Sequence, residues 1–222
     1  MAQRNPNRPF TVSVFGDSIA WTLMHYLPAT RVPFRRSHHH RMQPGARRAI
    51  SISRPDARPK TRMRSLAGRW SAQIAADQPD VALLIIGRWE TVDRVNEGRW
   101  THIGDPAFDA YLAGELQRAL DTLGTNGIRV AVTTVPYSRR GEKPDGTLYP
   151  EDQPERVDQW NTLLRRTIGK RPNVSILDLN RKLCPDGVYT AKVDGIQVRS
   201  DGVHLTPEGV QWLTPWLEES LR

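Results

Sequence analysis

The chain has 222 residues, 38% hydrophobic and 25% charged, long enough to bury a core and too apolar to stay disordered. Its single cysteine, Cys184, excludes an intrachain disulfide and a cysteine-rich metal site. The net charge of +8 is unevenly placed: residues 31–64 hold eleven basic side chains and one acid, Asp56, so that segment carries +10 and the remainder −2.

Residues 11–16 read as a buried first strand, and the apolar positions of 19–27 suit a helix. Residues 49–52 (Ala-Ile-Ser-Ile) are a weaker candidate for a second strand. Met63, Leu66, Trp70 and Ile74 recur at helical spacing and predict an amphipathic helix over 61–77. The aliphatic run 81–86, between Pro79 and Gly87, predicts a central parallel strand and is far too short to span a bilayer. Tyr111, Leu112, Leu116, Leu120 and Leu123 mark a second helix, 128–132 a strand, and Val157, Trp160, Leu164 and Ile168 a third helix. Residues 174–177 predict a short strand, and Asp194-Gly195 a hairpin turn. Thr206 should cap the last helix, with Pro207 at its first position. Trp70, Trp160 and Trp216 fall at helical spacing and read as core.

Strands alternating with helices imply an α/β fold, a five-stranded parallel sheet covered on both faces. No linker or repeat divides the chain, so 1–222 reads as a single domain. Residues 136–154, rich in proline and glycine, form a long loop that suits a lid or a substrate wall. The first seven residues lack the apolar core of a signal peptide, which sets the expectation of a cytoplasmic protein.

Gly16-Asp17-Ser18 follows the first strand directly, where open α/β sheets place their ligands. A serine there heads the next helix, with its backbone N–H free to meet a developing anion. It needs a base to become a nucleophile. Asp201-Gly202-Val203-His204 stands just before the last helix. An aspartate three residues ahead of a histidine can hold the ring Nδ1 proton and leave Nε2 for the serine. The α/β-hydrolase arrangement is excluded, because Ile19-Ala20 replaces the end of its Gly-x-Ser-x-Gly elbow.

Gly16-Asp17-Ser18, the strand ending at Gly87, and Asp201-x-x-His204 together resemble the SGNH (GDSL) hydrolase family. The resemblance implies a three-layer α/β/α, flavodoxin-like fold and a Ser18-His204-Asp201 triad. It also implies attack on esters or acyl donors with no cofactor and no metal. The tail, from Leu183-Cys184-Pro185 through 198–205, resembles one branch: SGNH domains appended to bacterial membrane acyltransferases that O-acylate sugars. Gly87-Arg88-Trp89-Glu90 and Gly98-Arg99-Trp100 point the same way, and this chain would be a free-standing relative.

One block departs from the family. Its usual Gly-x-Asn-Asp, whose asparagine donates to the oxyanion, reads Gly87-Arg88-Trp89-Glu90 here. The indole of Trp89 is a differently placed donor. Gly45 is the best candidate for the second block's glycine, ahead of Gly68. Gly45, Trp89, Gly87, Asp17 and Glu90 are therefore the candidate oxyanion and substrate-binding residues.

Three functions compete. The first is a serine esterase or deacylase acting on an O-acylated small molecule or sugar. The second is an O-acyltransferase with the same triad, its basic segment 31–64 holding coenzyme A or an acyl-carrier protein. The third is a non-catalytic basic binding module. Neither membrane nor nucleic acid is expected as partner, since no nucleic-acid motif accompanies the charge. His38-His39-His40 diverge on an extended chain and make a poor site for one tetrahedral metal.

Overall fold

The computed structural model describes residues 9–29, 33–36 and 59–222. The first strand, β1 (Val12–Gly16), runs into helix α1 (Ser18–Tyr26). Strand β2 (Phe34–Arg36), helix α2 (Pro59–Asp77) and strand β3 (Val81–Ile85) follow. A short 3-10 turn, Arg88–Glu90, leads to a hairpin of β4 (Arg94–Asn96) and β5 (Arg99–Thr101). Next come α3 (Pro106–Leu123), β6 (Arg129–Thr133), α4 (Pro154–Ile168), β7 (Val174–Leu177) and α5 (Leu179–Leu183). The chain ends with a small hairpin, β8 (Lys192–Val193) and β9 (Ile196–Gln197), and helix α6 (Pro207–Leu221).

Among the described residues, five strands form one sheet in the order β2-β1-β3-β6-β7, all parallel. The period of two along each strand divides the core. Val12, Val14, Leu83 and Ile85 face α1 and α6, packing on Ile19, Leu23, Val210, Leu213 and Leu217. Phe15, Ala82, Leu84, Val130 and Val132 face the opposite way, against residues of α2, α3 and α4 such as Ile74, Leu116 and Trp160. The continuous aliphatic run of β3 is thus explained: both of its faces are covered.

The expected fold class is what forms, with one strand in a different place. The second strand of the sheet is Phe34–Arg36, inside the arginine-rich stretch, and 49–52 lies outside the described residues. β2 is three residues long and sits at the sheet edge, where one apolar side chain suffices and charge discourages further pairing. Trp70 and Trp160 are buried as expected, while Trp216 is partly buried. Asp194 and Gly195 both have positive φ, as a two-residue hairpin turn requires. The Thr206 hydroxyl accepts from Gly209 N at 2.9 Å and caps α6. Among the described residues, no helix is long and apolar enough to cross a membrane.

β1 is where the strand order reverses, with β2 on one side and β3 on the other. A crevice at the carboxyl ends of β1 and β3 is the usual ligand site of such sheets. Gly16 sits at that point, paired with Ile85, at φ 146°. A Cβ on Gly16 would stand 1.9 Å from Ile85 O, and Asp17 N donates to that same oxygen at 3.0 Å. Replacing Gly16 by alanine adds a backbone clash to an unfavourable φ. Gly16→Ala should lower the unfolding free energy by about 2–4 kcal/mol, measured by urea denaturation.

Candidate active site

The Asp17 side chain caps α1, accepting from Ile19 N at 2.8 Å. This makes Ser18 the first residue of the helix, with an N–H that no earlier turn can accept. The Ser18 hydroxyl lies 2.8 Å from His204 Nε2. His204 Nδ1 lies 2.6 Å from Asp201 Oδ2. Asp201 Oδ1 accepts from His204 N at 2.7 Å and Val203 N at 3.0 Å, so the carboxylate is bound to the backbone of the loop whose histidine it orients. A hydroxyl, an imidazole and a carboxylate in this row can pass the hydroxyl proton to the ring. Ser18 and His204 are partly exposed, so a ligand can reach them.

Burial tends to raise the Asp201 pKa. The hydrogen bonds from the His204 ring, His204 N and Val203 N outweigh it and hold the carboxyl below its ordinary value. Asp201 therefore stays charged and keeps the Nδ1 proton in place.

Asp17 is in the opposite condition. It is 2% exposed, and burial pushes its pKa from 3.8 to about 7. The Ile19 N–H opposes this, the neighbouring Glu90 charge adds to it, and Arg88 opposes it. Its second oxygen, Oδ2, is enclosed without a hydrogen-bond partner among the described residues. Glu90 is 1% exposed, and its charge also acts on Arg94.

Gly87 ends the approach from β3 and packs under Val135 and Trp160; a Cβ there would stand 2.0 Å from Val135 Cγ2 and 2.3 Å from Trp160 Nε1. Trp89 is partly buried, but its Nε1 is enclosed and without a partner among the described residues. Asp17 and Glu90 thus sit within electrostatic reach of one another beside the end of β1 that leads into Ser18. Gly45 and His38-His39-His40 lie outside the described residues, as does most of the 31–64 segment. Among the described residues, no cluster of three His, Cys, Asp or Glu is placed to hold a metal ion.

Sequence reasoning passed over several polar residues behind this site. Arg88 donates to Asp152 Oδ1 at 2.8 Å and to Ser138, and Arg199 is buried among backbone carbonyls. No fixed spacing links these residues. The one available signal was an arginine inside the Gly87-to-Glu90 block.

A family model described as an SGNH domain (fused to AT3 domains) matches residues 2–219. The chain belongs to the SGNH family and is an enzyme of its serine esterase and acyltransferase class. No curated protein matches the sequence. Among solved structures, a GDSL-like lipase from Bacteroides thetaiotaomicron is 16% identical with a TM-score of 0.58, covering 100% of this chain and 91% of that one. The M. smegmatis aryl esterase is 14% identical, TM-score 0.53, over 96% and 98% of the two chains. An acetyl xylan esterase is 16% identical, TM-score 0.51, over 96% and 100%. At these identities the likeness establishes the fold.

The Asp17 carboxyl binds its proton more tightly in the folded chain, at about 7, than at its ordinary 3.8. The folded state is therefore favoured most below the ordinary value, and that advantage is lost as pH rises through about 7. Asp17→Asn keeps an oxygen for the cap and removes the titration. Wild-type stability, measured against Asp17→Asn by urea denaturation, should fall by about 2–3 kcal/mol between about pH 5 and about pH 8. A constant difference across that range would contradict the burial argument.

Proposed function

We propose that residues 1–222 act as one SGNH domain: a Ser18-dependent ester hydrolase or deacylase for an O-acylated small molecule or sugar. The observation that carries this is the row of contacts from Ser18 Oγ to His204 Nε2 and from His204 Nδ1 to Asp201. In this reading His204 takes the Ser18 proton as Oγ attacks the acyl carbon. It then returns that proton to the leaving alcohol, and a water activated by the same ring cleaves the acyl-enzyme. Asp201 orients the ring and stabilises the imidazolium.

The Ser18 amide, at the start of α1, serves as the oxyanion donor, joined by the Gly45 amide. The loss of one such donor costs about 100- to 1000-fold in turnover, so the missing asparagine is a substantial departure. Trp89 stands in that asparagine's place, its N–H enclosed and without a partner among the described residues. A sugar ester as substrate is supported by the acetyl xylan esterase among the structural relatives.

The family description supports a second reading, since it names fusion to AT3 domains. Here the acyl-enzyme is resolved by a hydroxylated acceptor instead of water, and the 31–64 segment holds the phosphates of coenzyme A or an acyl-carrier protein. Partition separates the two. With an acyl donor and a sugar acceptor supplied together, a hydrolase yields mainly free acid and a transferase mainly the new ester. Charge reversal at Arg35, Arg36, Arg47 and Arg48 raises the donor KM only in the transferase reading.

A fluorophosphonate should label Ser18 of the intact protein and leave Ser18→Ala unlabelled. Ser18→Ala and His204→Ala should each lower p-nitrophenyl acetate turnover about 10⁴-fold or more, with the double variant little worse than either. Labelling should slow in acid, because an imidazolium cannot accept the serine proton. Absence of labelling together with absence of esterase activity would leave the non-catalytic binding module as the better description.

A further inference from the structure

Four consecutive residues, 137–140, hold the site from two sides, and the chemistry above assigns them no part. Tyr137 O accepts from Arg199 Nη1. Ser138 Oγ accepts from Arg88 Nη1 and donates to Asp152 Oδ1 at 2.8 Å. Arg139 N donates to Gly202 O at 3.1 Å. Arg140 N donates to Asp152 Oδ2 at 2.9 Å. One side of this strap is the turn after β3, which carries Arg88 and Trp89. The other is the loop that carries Asp201 and His204.

Both anchors are buried charges. Arg88 and Asp152 form an ion pair with side chains 9% and 0% exposed. Arg199 is 1% exposed and is held by the carbonyls of Tyr137, Leu183 and Thr190, with its guanidinium 4.6 Å from the Tyr189 ring. Its backbone pairs with Leu205, closing the base of the loop that presents the acid and the base. Gly202, between Asp201 and His204, lies so close to the strap that a Cβ would meet Arg139 O at 1.9 Å. Charges taken from water add little net stability over apolar groups of the same shape, while they impose one geometry. The Arg88 guanidinium bonds to none of Ser18, Asp201 and His204; its hydrogen bonds go to residues 138, 151 and 152, and its charge also reaches Asp17.

We propose that residues 137–140 form a positioning strap, anchored by Arg88 and Arg199, that fixes the height of the Asp201–His204 loop over Ser18. This rests on the reading of Ser18 as nucleophile and His204 as base. Arg88 and Arg199 are positioning residues, acting through the strap. The Ser18–His204 contact is short and directional, and misplacement by about 1 Å can cost about 100-fold in rate. Substrate binding does not depend on that contact to the same degree, so the effect falls on kcat.

The test compares wild type, Arg88→Met and Ser138→Ala on p-nitrophenyl acetate, with fluorophosphonate labelling of Ser18 and circular dichroism on the same samples. Arg88→Met should lower kcat and the labelling rate per folded molecule about 10- to 100-fold, with KM within about twofold. Ser138→Ala, which removes a single hydroxyl, should shift both in the same direction by a smaller factor. Arg88→Lys keeps a charged donor toward Asp152 and should recover part of kcat. If folded Arg88→Met and Ser138→Ala keep wild-type kcat and labelling and lose only melting temperature, the strap is structural and the proposal is overturned. Should Arg88→Met fail to fold, Ser138→Ala decides the matter alone. A parallel Ser18→Ala sample at full wild-type rate would instead remove the nucleophile reading, and the strap proposal with it.

Discussion

The site exists because two helices share one face of the sheet. α1 begins with Ser18, and α6 begins three residues after His204; both pack on the β1 and β3 side chains Val12, Val14, Leu83 and Ile85. A hydroxyl and an imidazole 186 residues apart in the chain then meet at 2.8 Å. Each apolar side chain in that layer contributes about 1.5–3 kcal/mol when fully buried. The hydrogen bond itself contributes about 1 kcal/mol. The packing therefore places the polar contact, and the contact alone could not hold the helices together.

Behind that contact the protein tolerates charge where water is excluded. Asp17, Glu90, Arg88, Asp152 and Arg199 are each below a tenth exposed. Burial raises the Asp17 pKa to about 7, and the neighbouring Glu90 charge adds to that rise. Arg88 and Asp152 meet the same burial by pairing. Arg199 meets it with carbonyl oxygens, whose dipoles offset a cation without a carboxylate.

The fold was largely legible in the sequence because its signals are local and periodic. The buried strands read as continuous aliphatic runs, and α2, α3 and α4 as apolar residues three and four apart. Phe34–Arg36 was missed because an edge strand of three residues carries no usable period. Ser18, Asp201 and His204 were legible as residue types next to a strand end and a helix start, although only their contact distances show that they meet. The strap was not legible. Its bonds run from residue 88 to 138 and 152, and from 199 to 137, and many go to backbone atoms that every residue possesses. Asp17 looked like a member of a motif, and its unusual titration depends on burial that no local pattern encodes.

Asp201 and His204 sit on one turn, and three of the bonds that join them to each other and to Val203 are internal to that turn. The mutual alignment of the pair is therefore set within the turn itself. Because that loop is also tied to Arg139 through Gly202 O and closed at its base by the Arg199–Leu205 pairing, displacing it would carry Asp201 and His204 together and leave their mutual alignment intact.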